Sequence, residues 1–245
     1  MATVSQEKFP LKVQGISKAF KQKKVLDSLS FDVREGEIFG LIGMNGVGKT
    51  TLIKIILDLL RPDQGDALLF GKPVTQPESR RNMTYLPEKF APSPFLKGKE
   101  FLSLAVAFAG KQLDMATATE WCHSLDLDPE ALHKKIGKYS KGMGQKLGLA
   151  SVFLSDASLL ILDEPMSGLD PRARIHLKDA LLRYKQSGKS VFFSSHILAD
   201  IEEICDRVAV LHDTKLVYVG DPHTFRERYE EATLERSFLK AVNAA

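Results

Sequence analysis

Ile38-Phe39-Gly40-Leu41-Ile42-Gly43-Met44-Asn45-Gly46-Val47-Gly48-Lys49-Thr50-Thr51-Leu52-Ile53 decides the fold. Ile38, Phe39, Leu41 and Ile42 form a short apolar run of the length of a buried strand. Leu52, Ile53, Ile55, Ile56 and Leu59 recur at helical spacing. A glycine-rich turn between strand and helix is the setting a phosphate-binding loop requires. The first amides of a helix are unpaired donors at its positive end, and a triphosphate is a polyanion. Gly43, Gly46 and Gly48 let the loop bend so that its N–H groups face inward, with Asn45 among them. Lys49 can reach the β- and γ-phosphates. The Thr50 hydroxyl suits a Mg²⁺ ligand, and Thr51 continues the first helical turn.

Further along, Leu159-Leu160-Ile161-Leu162 runs straight into Asp163-Glu164-Pro165. Four apolar residues ending in two carboxylates match a parallel strand leaving the core. In open α/β sheets the ligand sits at that edge. Two acids there are costly unless a cation or water meets them. One can hold Mg²⁺, and the other can orient an attacking water. Val191-Phe192-Phe193-Ser194 reads as another buried strand, with His196 just beyond it as a candidate γ-phosphate contact. A lone histidine is more often structural.

The remaining chain supplies the frame. Leu11 to Ile16 and Leu29 to Val33 alternate apolar and polar residues, as antiparallel strands with one wet face do. Phe20 falls in the loop between them. An aromatic there can stack on an adenine ring, although taken alone it reads more readily as core. Ala67 to Phe70 and Met83 to Leu86 are short strands, the second leading to Pro87-Glu88. Ala91-Pro92-Ser93-Pro94 is an extended connector. From Phe95 to about Ser155 the pattern is helical. Phe101, Leu104, Ala105 and Phe108 share one face; Ala118, Trp121, Cys122 and Leu125 share another. Ser140 is a helix N-cap, and Gly142 leaves room for close approach. Asp170 caps a helix with Pro171 at its first position. Val208 to Leu211 and Leu216 to Val219 form a closing hairpin. A tail rich in Arg and Glu follows and reads as two short helices.

Composition excludes several classes. The chain has 245 residues, 44% hydrophobic and 27% charged, as soluble globular proteins do. No uncharged apolar run reaches the roughly 18 residues of a bilayer span. The opening residues lack the apolar stretch of a secretory signal. Cys122 and Cys205 have no metal or redox spacing and read as ordinary thiols in a reducing compartment. A formal charge of +3, with small basic clusters, does not point to nucleic acid. No Asn-Lys-x-Asp tetrapeptide occurs, which argues against a GTPase. A small-molecule kinase would not need paired acids and the Ser140 element.

Taken in order, these motifs resemble the nucleotide-binding subunit of ABC transporters over nearly the whole chain. Gly43 to Thr51 resembles its Walker A and Leu159 to Asp163 its Walker B, with Glu164 at the place of the catalytic glutamate. Tyr139-Ser140-Lys141-Gly142-Met143 stands where the family has its signature, with Lys141 for the first glycine and Met143 for glutamine. Ser167 to Asp170 resembles the D-loop, His196 the switch histidine and Phe20 the adenine-stacking aromatic. Glu88 stands at the Q-loop position, normally glutamine. The signature and Tyr-Leu-Pro-Glu resemble the ABC-2 type exporter branch.

The resemblance implies an α/β P-loop NTPase: a RecA-like, mostly parallel core, an antiparallel N-terminal β subdomain and an inserted helical subdomain. Its expected bounds are 1–222 for the ATPase domain, with core 1–90 and 156–222 and helical insertion about 91–155, then a helical tail at 223–245. It implies an ATPase using ATP and Mg²⁺. Glu164, His196 and Lys49 would carry catalysis. Thr50, Asp163 and Glu88 would hold the metal. Phe20, the glycine loop, Ser140, Gly142 and Asp170 would bind nucleotide. It further implies pairing with a second copy or a homologous ATPase subunit, and a separate integral membrane permease that holds the chain at the cytoplasmic face of the membrane. The other reading is a non-transport relative in DNA repair or regulation.

Overall fold

The computed structural model describes residues 9–243. Residues 1–8 and 244–245 lie outside the described residues. With them lie the outer ends of the expected domain and tail, and the reading of the opening residues as lacking a signal.

Apolar runs with no polar alternation build the central sheet. These are β3 (Ile38–Ile42), β6 (Met83–Leu86), β7 (Leu159–Asp163), β8 (Ser190–Ser195) and β9 (Arg207–His212). They lie parallel in the order β9-β3-β8-β7-β6, and β10 (Lys215–Gly220) returns antiparallel outside β9. Both faces are covered over β3, β7, β8 and most of β9, which is why those strands read as continuous hydrophobic runs, while the edge strands β6 and β10 are only half-buried. The alternating segments build a second, antiparallel sheet in the order β2-β1-β4-β5. Its strands are β1 (Leu11–Phe20), β2 (Lys23–Val33), β4 (Gln64–Leu69) and β5 (Lys72–Pro73).

The helices are α1 (Lys49–Ile56), α2 (Gly98–Phe108), α3 (Met115–Ser124), α4 (Lys141–Ser155), α5 (Pro171–Gln186), α6 (Leu198–Ile204), α7 (Pro222–Tyr229) and α8 (Leu234–Asn243). Two apolar cores result. One lies between the antiparallel sheet, α1 and one face of the central sheet, where Phe31 stacks on Phe39 and Phe192 at 5.2 and 5.7 Å. The other lies on the opposite face and joins α2 to α8, including Phe225, Leu234 and Phe238 of the tail.

Two sequence expectations are corrected, those for Leu59 and Phe20, and the face read on α2 is found to be the open one. The helix after the loop ends at Ile56, and Leu59 beyond it is 70% exposed. On α2 the buried stripe is Leu102 and Val106, which faces α4. Phe101, Leu104, Ala105 and Phe108 do share a face, but it lines an open groove beside Phe90, and Phe108 is 93% exposed. Phe20 is not in a loop or in the core. It ends β1, pairs with Lys23 across a tight hairpin, and is about half exposed. Trp121 stacks on Phe153 at 4.5 Å at the edge of the helical core, with the Arg183 guanidinium over its outer face.

Candidate functional site

The strand order brings distant motifs to one edge. β3, β8 and β7 are neighbours, with Ile42 beside Ser195 and Ser194 beside Asp163. Their carboxyl ends therefore deliver the glycine loop, His196 and the acid pair side by side, at the sheet edge where α/β ligands bind. β6 continues the edge, and Pro87-Glu88 leaves it next to β7.

The loop is tight where its glycines demand it. A methyl at Gly43 would stand 2.7 Å from Val47 Cγ1 and 2.8 Å from the Leu211 carbonyl. Gly48, at φ +121, would drive a methyl to 2.8 Å from Leu26 Cδ2. α1 then begins at Lys49 with no side-chain cap and no acid in its first turn. Its leading N–H groups remain donors for an anion. Lys49 is buried at 6% exposure; its ammonium donates to the carbonyls of Gly43 (2.7 Å) and Met44 (3.3 Å).

Asp163 and Glu164 are both buried, and each is differently tied. Asp163 Oδ2 accepts the Thr50 hydroxyl at 2.9 Å, and its Oδ1 accepts the Ser194 hydroxyl at 2.6 Å. Ser194 in turn accepts the Glu164 amide at 3.0 Å. Glu164 sits at φ +50, a left-handed backbone that turns its side chain away from that of Asp163, and its carbonyl accepts the Ser167 amide at 3.0 Å. His196 Nδ1 lies 2.8 Å from Glu164 Oε2. Lys49 Nζ lies 3.0 Å from Glu164 Oε1 as an ion pair outside hydrogen-bond geometry, so Oε1 has no hydrogen-bond partner. Burial of a carboxylate at such a place requires a countercharge, and Lys49 supplies it.

The structure brings Lys49, Thr50, Asp163, Glu164 and His196 into one cluster. Thr50 Oγ1 and Asp163 offer hard oxygen ligands from two elements. Among the described residues no three His, Cys, Asp or Glu side chains form a cation cage. Mg²⁺ held by one or two protein oxygens and completed by phosphate and water needs no such cage, so the residues fit it. Glu88 stands apart: it is exposed and makes no hydrogen bond or ion pair among the described residues. Its field still reaches the site. Burial, then the charges of Asp163 and Glu88, push the Tyr85 phenol up to about 12.

The other expected residues lie outside this cluster. Phe20 is carried at the tip of the β1–β2 ribbon, whose Val25 and Leu26 close on Gly48. Ser140 Oγ accepts the Met143 amide at 3.1 Å and Asp170 Oδ1 the Ala173 amide at 2.9 Å, so both act as N-caps. The start of α4 adjoins the 167–170 turn: a methyl at Gly142 would be 3.9 Å from the Gly168 carbonyl, and one at Gly168 would meet Lys141 Cε at 3.1 Å. Ser140, Gly142 and Asp170 share no hydrogen bond with the glycine loop or the acid pair. Sequence reasoning missed Ser194 and Tyr85. Two serines, Ser194 and Ser195, ending an otherwise apolar strand were the available signal for the first.

A family model described as ABC transporter matches residues 26–167. An uncharacterized ABC transporter ATP-binding protein of Synechocystis is 42% identical over 80% of this chain and 56% of its own length. The chain thus spans little more than half of that relative. The Nod factor export ATP-binding protein I of Burkholderia orbicola is 32% identical over 89% of this chain and 73% of its own. A solved ATP-binding subunit of an ABC transporter superposes with a TM-score of 0.83 at 30% identity, covering 94% of this chain and 98% of the other.

Proposed function

The chain belongs to the ABC transporter family of ATP-binding proteins, and from that premise we propose that it hydrolyses ATP to drive transport, in the export direction, through a separate membrane permease. The observation that carries the reading is the buried cluster in which Glu164 is held between Lys49 and His196 while Asp163 is held between Thr50 and Ser194.

Each residue has work that its position suits. The amides from Gly46 to Thr51 and the Lys49 ammonium bind the β- and γ-phosphates. Phe20 stacks on the adenine. Thr50 and Asp163, with Glu88 from the neighbouring strand end, would hold Mg²⁺, which supplies charge neutralisation on the phosphate oxygens when bound. Glu164, its Oε1 paired with Lys49 at 3.0 Å, polarises the attacking water and takes its proton. His196 fixes Oε2 and offers its other ring nitrogen to the transferred phosphoryl group.

The start of α4 supports pairing with a second copy or a homologous subunit. Gly148, deeper in that helix, is required by its own chain: a methyl there would meet Leu86 and Phe90 at 2.9 Å. Gly142 has nothing closer than 3.9 Å, and Gly144 nothing within 4 Å. That open face, with Ser140, is left to the triphosphate held by another chain's loop. Asp170 lies in the adjoining turn, at the same seam. The domain bounds given above are proposed with this reading. Relatives named for export favour transport, outward, over a role in DNA repair.

Among the described residues no helix is long and apolar enough to cross a membrane. We assign the permease contact to the groove of about 940 Å³ lined by Phe90, Phe101, Leu104 and Phe108, beside Glu88. That contact would hold the chain at the cytoplasmic face. The 91–95 connector is expected to shift with nucleotide.

Lys49→Ala tests the hydrolytic reading. Hydrolysis is expected to fall by about 10²-fold or more, since it loses the main charge on the transferred group. Turnover equal to the parent's would overturn the reading.

A further inference from the structure

His196 is followed, after Ile197, by the seven-residue α6. A helix this short is marginal by itself, so its place is set by what grips it. Its sequence carries three acids, and each meets a cation from a neighbouring helix. Asp200 is buried, with Lys178 and Arg174 of α5 at 3.6 and 3.8 Å. Glu203 accepts from Lys178. Glu202 faces the C-terminal tail: Arg226 of α7 pairs with it at 2.9 Å. It also accepts the amide of Leu234 at 3.2 Å, a carboxylate placed on the N-terminus of α8.

α8 then packs Leu234, Phe238 and Ala241 into the core. Phe238 reaches the site itself. It shares a cavity of about 310 Å³ with Gly43, Met44 and Asn45 of the glycine loop, His196 and Leu198. The side chain of His196 is 41% exposed and holds Glu164 through a single contact. In its own loop the Ser195 hydroxyl accepts the Ile197 amide at 3.0 Å and Leu198 is buried, but neither hydrogen-bonds the imidazole.

We propose that α7 and α8 brace the histidine-bearing segment, which makes Phe238 and Glu202 positioning residues for the Glu164–His196 pair. Glu202 ties α6 to the tail. Phe238 walls off the space into which the 196–198 segment would otherwise move. Displacement of a catalytic group by about 1 Å costs up to about 10²-fold in rate, so a modest loosening is measurable. The kinetic consequence rests on the hydrolytic reading above; the structural one does not.

The test uses the whole chain. Phe238→Ala is expected to lower kcat about 5- to 20-fold with KM for ATP within about twofold, and Phe238→Leu to recover most of the loss. In a His196→Ala background the same change should cost less than about twofold, because nothing remains to be positioned. Equal losses in both backgrounds would mean a merely structural role and overturn the proposal. Hydrogen exchange gives a second readout that needs no activity. Amides of 197–204 should exchange at least about tenfold faster in Phe238→Ala and in Glu202→Gln, with β7 and α1 unchanged. Unchanged exchange at 197–204 in both variants overturns the brace. Should Phe238→Ala not fold, Glu202→Gln, whose side chain is 26% exposed, decides by the same two readouts. A parent chain that hydrolyses no ATP would refute the hydrolytic reading alone, and exchange would still decide the brace.

Discussion

Ser194 shows how one hydroxyl can order two acids. It donates to Asp163 and accepts the Glu164 amide, so its orientation fixes which way each carboxylate leaves the strand end. Ser194→Ala would leave a buried carboxylate oxygen and a buried amide without partners. The expected cost is about 1–3 kcal/mol of stability by urea denaturation, with turnover lower by roughly tenfold. A variant as stable and as fast as the parent would remove Ser194 from the site. The residues that read clearly from sequence were those whose type is costly without a ligand: three glycines with a lysine, and adjacent acids after an apolar run. Ser194 did not, because the Ser194-Ser195 pair signals only a polar strand end, and what its hydroxyl touches is fixed once β7 lies beside it. Glu88 was legible as a position but not as a contact. Its side chain is exposed, and its charge helps to raise the Tyr85 phenol.

At the scale of elements, strand assignments carried over well because a two-faced sheet leaves unbroken apolar runs. Helix phase carried over too, but not which face is covered. Phe101, Leu104, Ala105 and Phe108 are a helical stripe in sequence, yet α2 has two apolar stripes, and α4 covers the one through Leu102 and Val106. Amphipathicity alone does not say which stripe finds a partner. Helix ends also matter for pH behaviour. α4 ends at Asp156, in a left-handed conformation at φ +54. Its carboxylate takes Lys189 at 2.7 Å and Lys111 at 3.0 Å, tying α4 to β8 and to the end of α2. The hydrogen bond from Lys189, then that from Lys111, hold its carboxyl below the usual range against partial burial. The sign follows from the lowered value. This stabilisation is complete above the ordinary aspartate pKa near 4 and is lost as pH falls through the lower folded value. Asp156→Asn should therefore show a smaller drop in denaturation midpoint than the parent between about pH 4 and 2, the effect being small because the pair is exposed. Identical acid profiles would contradict this.

Over the whole molecule, the antiparallel sheet, central sheet, helical insertion and tail meet in two continuous cores, and the catalytic edge lies between elements far apart in sequence. The exposed aromatic groove belongs to this scale too. Phe108, at 93% exposure, gains nothing for this chain from being apolar. If the proposed permease contact lies here, Phe108→Asp abolishes co-purification with an integral membrane partner while the thermal midpoint stays within about 2 °C of the parent's. Retained co-purification would move the docking site elsewhere. The tail, read from sequence as helical but without chemistry, carries the proposed brace because Phe238 lines one cavity with the glycine loop and His196. No sequence pattern carried that proximity.

The central claim is that a triphosphate held by one chain's loop is completed by the Ser140–Gly142 helix start of another. Glu164→Gln, which should slow turnover by about 10²–10⁴-fold, traps that assembly for sizing by gel filtration with ATP and Mg²⁺. A dimer that forms with ATP, and that a further Gly142→Trp change returns to monomer while nucleotide stays bound, is the expected result. A Glu164→Gln chain that remains monomeric at saturating ATP would contradict the account.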